Sequence, residues 1–365
     1  MPEQTVSRCL RALAATGAAA LLNACGGGGS SAGAPAPESP SSPAASSVPA
    51  EPSASAMANA AAAAKKAAAT DPLCATSILG DFYWEIGNAT SAAPLVSNTE
   101  GRGTVTATTS FNIASATKFV FGAYVLQKKG IEQVRANPAL HDGLRFVSGY
   151  SDMEDTACIG KATVGACNAS GNGSAPNPNT VNRFFYNGGH DQKLAAVDLG
   201  MASFTSRQID QEYQAVLGLS PGFSMGTFNP LMAGGLIASA ADYAQFLRRV
   251  MSQQLIIGAH LGEDAVCAQP ASCPNQAIYS PVESLGEPWS YSYNHWVESE
   301  KGNGTVDAYS SAGAFGFYPW IAGDRKYYGI LSRHDSQLDQ QEGMASMRCG
   351  RQIRKAFLGA LAQTP

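Results

Sequence analysis

The apolar block Phe119-Val120-Phe121-Gly122-Ala123-Tyr124-Val125-Leu126 constrains this chain more than any other stretch. It offers no polar stripe, so as a helix it has to be covered by protein on every side. That requires a domain with layers on both faces of the helix, and 365 residues, 45% of them hydrophobic, can supply such a core. Lys128, Lys129 and Gly130 end the helix in the ordinary way. Its start is unusual: Ser115 and Lys118 fall in the first turn, where the helix dipole favours acids rather than a cation. A lysine held out of water at a positive helix end gives up its proton more readily than one in solvent. The neutral amine can then take the proton of a serine hydroxyl one turn away. The competing reading makes Ser115 an N-cap and lets Lys118 snorkel to water. No other lysine in the chain has a serine three residues before it.

Composition divides the chain before this block. Residues 1–24 carry two arginines and the small apolar run Ala12 to Leu22, then end at Leu21-Leu22-Asn23-Ala24-Cys25. The run is too short to span a membrane as a retained helix, and its end looks like a bacterial lipoprotein signal in which Cys25 becomes the lipidated N-terminus. An ordinary secretory signal is the alternative. Gly26 is not the aspartate that marks inner-membrane retention in such lipoproteins, so the expected place is the cell envelope, at the outer membrane, with the membrane as partner through the anchor. From 25 to 70 the chain is mostly Gly, Ala, Pro and Ser and reads as a tether, which puts the folded domain at 71–365. Net charge is −4, with +1 in the leader and −5 in the remainder, and the cations are scattered, so no nucleic-acid partner is expected.

Beyond Cys9 and Cys25 six cysteines remain, an even number suited to an oxidising compartment. Proximity suggests Cys158-Cys167 and Cys267-Cys273, which leaves Cys74-Cys349, although six cysteines allow about fifteen connectivities. The spacings do not resemble a zinc cluster, and no metal or other cofactor is called for.

Coarse patterning gives a first strand at 81–86, a second at Gly103 to Ser110, and a polar surface insertion over Ser151 to Thr180. A helical pattern runs from about Asp191 to Leu199. A capped amphipathic helix follows Ser239-Ala240-Ala241-Asp242. An aromatic strand covers Ser290 to Val297, and Ser311 to Ile321 pairs with Lys326 to Ser332 as a hairpin in which Pro319 marks a bulge or open edge. A final helix spans about Gln337 to Leu361. Strands at both ends and helices between them predict an α+β domain whose antiparallel sheet joins the two termini, is flanked by helices, and encloses a mostly helical middle.

The order of these features resembles the serine beta-lactamase and DD-peptidase superfamily, most closely its class C-like branch with the family VIII esterases and nylon-oligomer hydrolases, over roughly residues 80 to 360. Phe111 to Lys118 is similar to the family's Ser-x-x-Lys box. Phe146 to Tyr150 looks like its Thr-Ser-Gly turn, and Ala233 to Phe246 like its Ala-Gly-Gly-Leu segment. The resemblance implies Ser115 as nucleophile, Lys118 as its proton partner, and Tyr186, 71 residues on, as the tyrosine of a Tyr-x-Asn box. A phenol beside an ammonium group can serve as a general base; the plain alternative packs Tyr186 with Phe184 and Phe185. Gly188 stands where the box has asparagine and Asn187 is one position early, while Ser170-Gly171-Asn172 is a rival in the insertion. The third box would fall at Ser311-Ala312-Gly313, with the Ala314 amide joining that of Ser115 in an oxyanion hole. Ser311 replaces the cation that attracts a substrate carboxylate, which argues for esters or uncharged amides. His190 is a further candidate for polar contact.

The implied activity is a serine hydrolase (carboxylesterase or amidase type) acting on a small or oligomeric ester or amide through an acyl-serine. A beta-lactamase, a D-Ala-D-Ala peptidase, or an inactive penicillin-binding-like recognition module are the alternatives. Gly222-Phe223-Ser224-Met225-Gly226 also fits a nucleophile elbow, with His334 and Asp264 or Asp324 to finish a triad, but prolines flank it on both sides.

Overall fold

The computed structural model describes residues 51–302, 304–335 and 340–363; the leader, Cys25 and the first part of the expected tether lie outside the described residues. Five helices of twelve residues or more are described: α1 (Ala54–Thr70), α2 (Ala116–Lys129), α3 (Ser206–Leu217), α4 (Ala240–Met251) and α5 (Gln340–Ala362). The strands are β1 (Phe82–Gly87), β2 (Val96–Glu100), β3 (Phe111–Asn112), β4 (Phe184–Phe185), β5 (Ser224–Met225), β6 (Leu236–Ala238), β7 (Val266–Cys267), β8 (Ala277–Tyr279), β9 (Ser290–Ser292), β10 (His295–Glu298), β11 (Ala308–Ser310), β12 (Tyr318–Ala322) and β13 (Tyr328–Ser332).

Eight strands form one antiparallel sheet in the order β2-β1-β13-β12-β11-β10-β9-β7. The expected junction of the termini is the β1–β13 ladder, with Trp84 opposite Leu331 and Ile86 opposite Gly329. α2 is buried from Ala116 to Leu126, as its all-apolar surface requires. Gly122 lets it approach the β9–β10 turn, where an added Cβ would lie 2.4 Å from the Tyr293 carbonyl oxygen. A second small sheet, β3-β6-β5, delivers the chain into the turn before α2, and the two-residue β4 pairs in parallel with β8.

Several expectations change. α1 occupies the end of the stretch that composition assigned to the tether, so residues 54–70 pack as a helix of the described unit instead of leading up to it. Ala56, Ala60, Ala64 and Ala68 recur every four residues, are buried, and let α1 lie closely along α5. Alanine is the best helix former, but a helix of it is stabilised by a partner surface that composition does not reveal. The second strand is β2, not residues 103–110. There Thr106 N donates to Thr109 Oγ1 at 2.9 Å and Thr109 N to the Thr106 carbonyl, a local turn that competes with a strand ladder.

Ser290 to Val297 is a hairpin rather than one strand, because Tyr293 and Asn294 both take positive φ (31° and 64°) in a two-residue turn. Of the 311–321 strand only β12 is extended, and β12 is interior rather than at an edge. Pro319 is tolerated because its carbonyl, and so its nitrogen, face the side where β11 has already ended at Ser310; Ser311 N donates to that carbonyl at 3.3 Å. The capping box at Ser239 and Asp242 is present. All three proposed disulfides are present, Cys74-Cys349, Cys158-Cys167 and Cys267-Cys273, and the first fastens the start of the domain to α5.

Candidate active site

β3 ends by pairing Asn112 with Ile237, and Ile113 N then donates to the Leu236 carbonyl at 2.9 Å, so the chain enters α2 from a fixed direction. Ala114, next in line, has φ 43°, a left-handed conformation unusual for a residue with a Cβ. The Asn112 side chain holds it there by accepting from Ala114 N at 2.7 Å. Ser115 occupies the N-cap position, yet its side chain makes no capping hydrogen bond. Lys118 is 3% exposed. Both halves of the N-cap-and-snorkel reading therefore fail: the hydroxyl is not capping and the lysine does not reach out to the surface. Instead Lys118 Nζ lies 3.0 Å from Ser115 Oγ and 2.8 Å from the Ala233 carbonyl. The Ala233 segment reaches the site because Leu236 N donates to Thr117 Oγ1, 3.2 Å away on α2.

A cavity of about 310 Å³ opens on this pair. One wall carries Phe185, Tyr186, Tyr279, Pro281 and Val282; Trp296, Ala312, Ala314, Gly343 and Met344 contribute the rest with Asn187 and Gly188. Lys118 is its one charged lining residue among those described. Tyr186 presents its ring to the lysine, with Nζ 4.9 Å from the centroid, and is stacked on Trp296 at 5.0 Å and against Phe146 at 5.5 Å. The packing reading of this tyrosine holds, since an aromatic cluster fixes its ring, and the same residue lines the cavity. The amides of Ser115 and Ala314 have no hydrogen-bond acceptor among the described residues, and both residues border the cavity.

The remaining candidates are placed differently. Ser311 is 2% exposed, and its hydroxyl donates to the Ser115 carbonyl at 2.8 Å, so it braces the nucleophile's backbone instead of facing the cavity. Gly313 also lies behind the site: an added Cβ would sit 2.2 Å from the Ile113 carbonyl oxygen, and only glycine lets the 311–317 turn close on the nucleophile turn. Asn187 borders the cavity, but its Nδ2 donates to the Met153 carbonyl at 3.0 Å and its Oδ1 accepts from Gly189 N at 2.8 Å, tying the insertion to the short helix Gly189–Lys193.

His190, expected as a further polar contact at the site, is fully buried and lines no part of the cavity. Its Nε2 donates to the Phe185 carbonyl at 3.0 Å, its Nδ1 accepts from Ser148 at 2.7 Å, and its ring stacks on Phe146. Burial holds its pKa down to about 3, so the ring is neutral.

Neither rival motif forms a site. Ser170 Oγ donates to the carbonyls of Ala157 and Cys167 within the insertion. Ser224 lies on β5 with no helix following directly, Asp264 is held by Arg135 at 2.9 Å, and His334 rests against Phe111 and Phe315.

The sequence reading missed most of the cavity wall. Trp296 was visible only as part of an aromatic strand. Tyr279, Pro281, Val282 and Met344 carry no motif, and they come together through β8 and α5.

No protein-family model and no curated protein sequence matches this chain. Solved structures do. EstCE1, described as a hydrolase with promiscuous acyltransferase activity, is similar over 83% of this chain and 98% of its own, at TM-score 0.53 and 14% identity. A D-stereospecific amidohydrolase from Streptomyces is similar over 80% and 99%, at 0.51 and 14%. SurE in complex with D-Leu is similar over 82% and 74%, at 0.55 and 14%. The fold is that of the serine beta-lactamases and DD-peptidases. Within that fold the chain's antiparallel sheet joins both termini, and the Ser115 turn opens on the cavity beside it.

Proposed function

We propose that this protein is a serine hydrolase that cleaves an uncharged ester or amide through an acyl-serine intermediate. The observation that carries the reading is the buried Lys118 Nζ bridging Ser115 Oγ and the Ala233 carbonyl. One Nζ hydrogen is spent on Ala233, which aims the nitrogen at the serine. In the reaction Lys118 acts as the free amine: the Ser115 proton passes to the Nζ lone pair, giving the ammonium ion, as Oγ forms its bond to the substrate carbonyl carbon. The oxygen of the tetrahedral intermediate is held by the amides of Ser115 and Ala314, two cavity residues whose N–H groups have no acceptor among the described residues. Collapse breaks the bond to the leaving oxygen or nitrogen, which takes the proton back from Lys118, with Tyr186 sharing the transfer. Water then repeats the sequence to release the acid.

A neutral substrate is supported by the lining, which pairs one lysine, engaged by the serine, with aromatic and aliphatic side chains. A carboxylate-bearing beta-lactam or D-Ala-D-Ala peptide would find no second cation there among the described residues. We also place the protein in the bacterial cell envelope, exported and anchored through a lipid on Cys25.

The test is covalent labelling by a fluorophosphonate and hydrolysis of a short-chain p-nitrophenyl ester. Wild type is expected to show both, and Ser115→Ala neither. Labelling that survives Ser115→Ala refutes the assignment, absence of both from wild type favours a recognition module, and turnover of a chromogenic cephalosporin in place of the ester favours a lactamase.

A further inference from the structure

The segment from Cys267 to Val282 does two things at once. It supplies Tyr279, Pro281 and Val282 to the cavity wall, and through β8 it holds the backbone of β4 just ahead of Tyr186. Phe184 N donates to the Gln276 carbonyl at 2.6 Å, Tyr186 N to the Tyr279 carbonyl at 3.2 Å, and Arg183 to the Pro274 carbonyl at 2.7 Å. A parallel pair this short has little stability of its own. What anchors it is the Cys267-Cys273 bridge: Cys267 belongs to β7, paired with β9 at the edge of the large sheet, and Cys273 N donates to the Gln269 carbonyl at 2.9 Å. Gln269, 1% exposed, completes the fastening by donating to the Val282 carbonyl at 3.2 Å.

The three bridges differ in access. Cys74, Cys349, Cys158 and Cys167 are buried at 2% exposure or less, whereas Cys267 and Cys273 are both partly exposed. A thiol can attack only a sulfur it reaches.

We propose that the Cys267-Cys273 bridge is a positioning element of the active site, holding Tyr186 and the Tyr279–Val282 wall, and that it is the bond through which an external dithiol acts on this enzyme. In that step the two dithiol sulfurs join as a disulfide, and their two electrons and two protons pass to Cys267 and Cys273, which become free thiols. Ser115, Lys118 and the two oxyanion amides sit on α2 and the 311–317 turn, which this segment does not hold. Reduction therefore loosens the wall and the tyrosine while leaving the nucleophile in place.

The inference rests on the hydrolase reading for its kinetic arm only. The test uses the folded protein under mild dithiothreitol, with thiol mapping to show which bridge opens, and a Cys267→Ser, Cys273→Ser double variant. Amide exchange is expected to rise at residues 184–186 and 277–279 in both samples. Ester kcat/KM is expected to fall about tenfold, while the fluorophosphonate labelling rate at Ser115 stays within about threefold of wild type. Unchanged exchange at those amides, or opening of another bridge first, overturns the proposal whatever the activity. Absence of labelling and turnover in untreated wild type overturns the hydrolase reading instead, and the exchange result still decides the bridge.

Discussion

Acidification from pH 7 to 5 is expected to destabilise this protein through two histidines that its fold keeps neutral. His190 and His295 are both fully buried, and burial lowers the pKa of each from 6.5 to about 3. His295 donates from Nδ1 to the Tyr293 carbonyl at 3.2 Å and accepts from Gly262 N at 3.0 Å on Nε2, so a second proton would break a bond as well as enter the core. With the folded pKa depressed, the native state binds fewer protons than the unfolded chain below 6.5. Stability is therefore complete above that pH and falls as pH drops towards 3. At pH 5 each histidine costs about 2 kcal/mol, roughly 4 kcal/mol for the pair, out of a total of order 5–15 kcal/mol.

Carboxylates enter in both senses, and Asp210, raised by burial like Glu85, works against the histidines. Asp264, lowered to about 2, acts only below about pH 4, and Glu85, raised by burial, works in the opposite sense and offsets part of the loss near its own titration. His141, lowered chiefly by burial, adds in the same direction as the pair. The assay is urea unfolding followed by tryptophan fluorescence at pH 7 and pH 5, for wild type and a His190→Gln, His295→Gln double variant. The double variant starts less stable but should lose most of the pH dependence. A wild-type difference below about 1 kcal/mol, or an undiminished difference in the double variant, would refute the reasoning.

Other expectations follow from single contacts. Lys118→Ala removes the proton acceptor of Ser115 and should lower ester kcat about 10³-fold with KM little changed, as read by steady-state kinetics. Ser311→Ala deletes the hydrogen bond onto the Ser115 carbonyl, worth about 1 kcal/mol, so kcat should fall about fivefold while urea stability changes little. Gly313→Ala forces a Cβ against the Ile113 carbonyl and should cost about 1–3 kcal/mol by urea unfolding. A chain beginning at Asp71 lacks α1 and the burial of its four alanines; it should be at most about 3 kcal/mol less stable than one beginning at Glu51, measured as a lower Tm.

How far the site was legible follows the range of the interactions involved. Ser115 and Lys118 are one helical turn apart, so their spacing announces a possible contact, and the apolar block after them announces burial. Tyr186 could be found by order along the chain, although the asparagine expected two residues later is a glycine. Ser311 and Gly313 were legible as positions but not as roles. Nothing local tells a serine that faces a substrate from one that hydrogen-bonds a carbonyl 196 residues away in sequence. His190 illustrates the same limit: its sequence neighbours Gly188 and Gly189 suggest a solvated loop, and the stacking of Phe146 with the hydrogen bonds to Phe185 and Ser148 makes it a core residue.

The sequence by itself determined the elements whose causes are local. These are the fully apolar α2 and its polar first turn, the capping box of α4, the terminal strands, and the even set of cysteines whose close pairs could be guessed. Tertiary structure decided what depends on partners distant in the chain: that an alanine-rich stretch becomes α1 because α5 offers a surface, that Lys118 is drawn from solvent by the Ala233 carbonyl, and that Tyr279, Val282 and Met344 enclose one cavity. The physical reason is common to all three. Propensity and periodicity describe how a residue treats its neighbours along the chain, whereas burial and hydrogen-bond satisfaction are settled by whatever the fold brings to the other side.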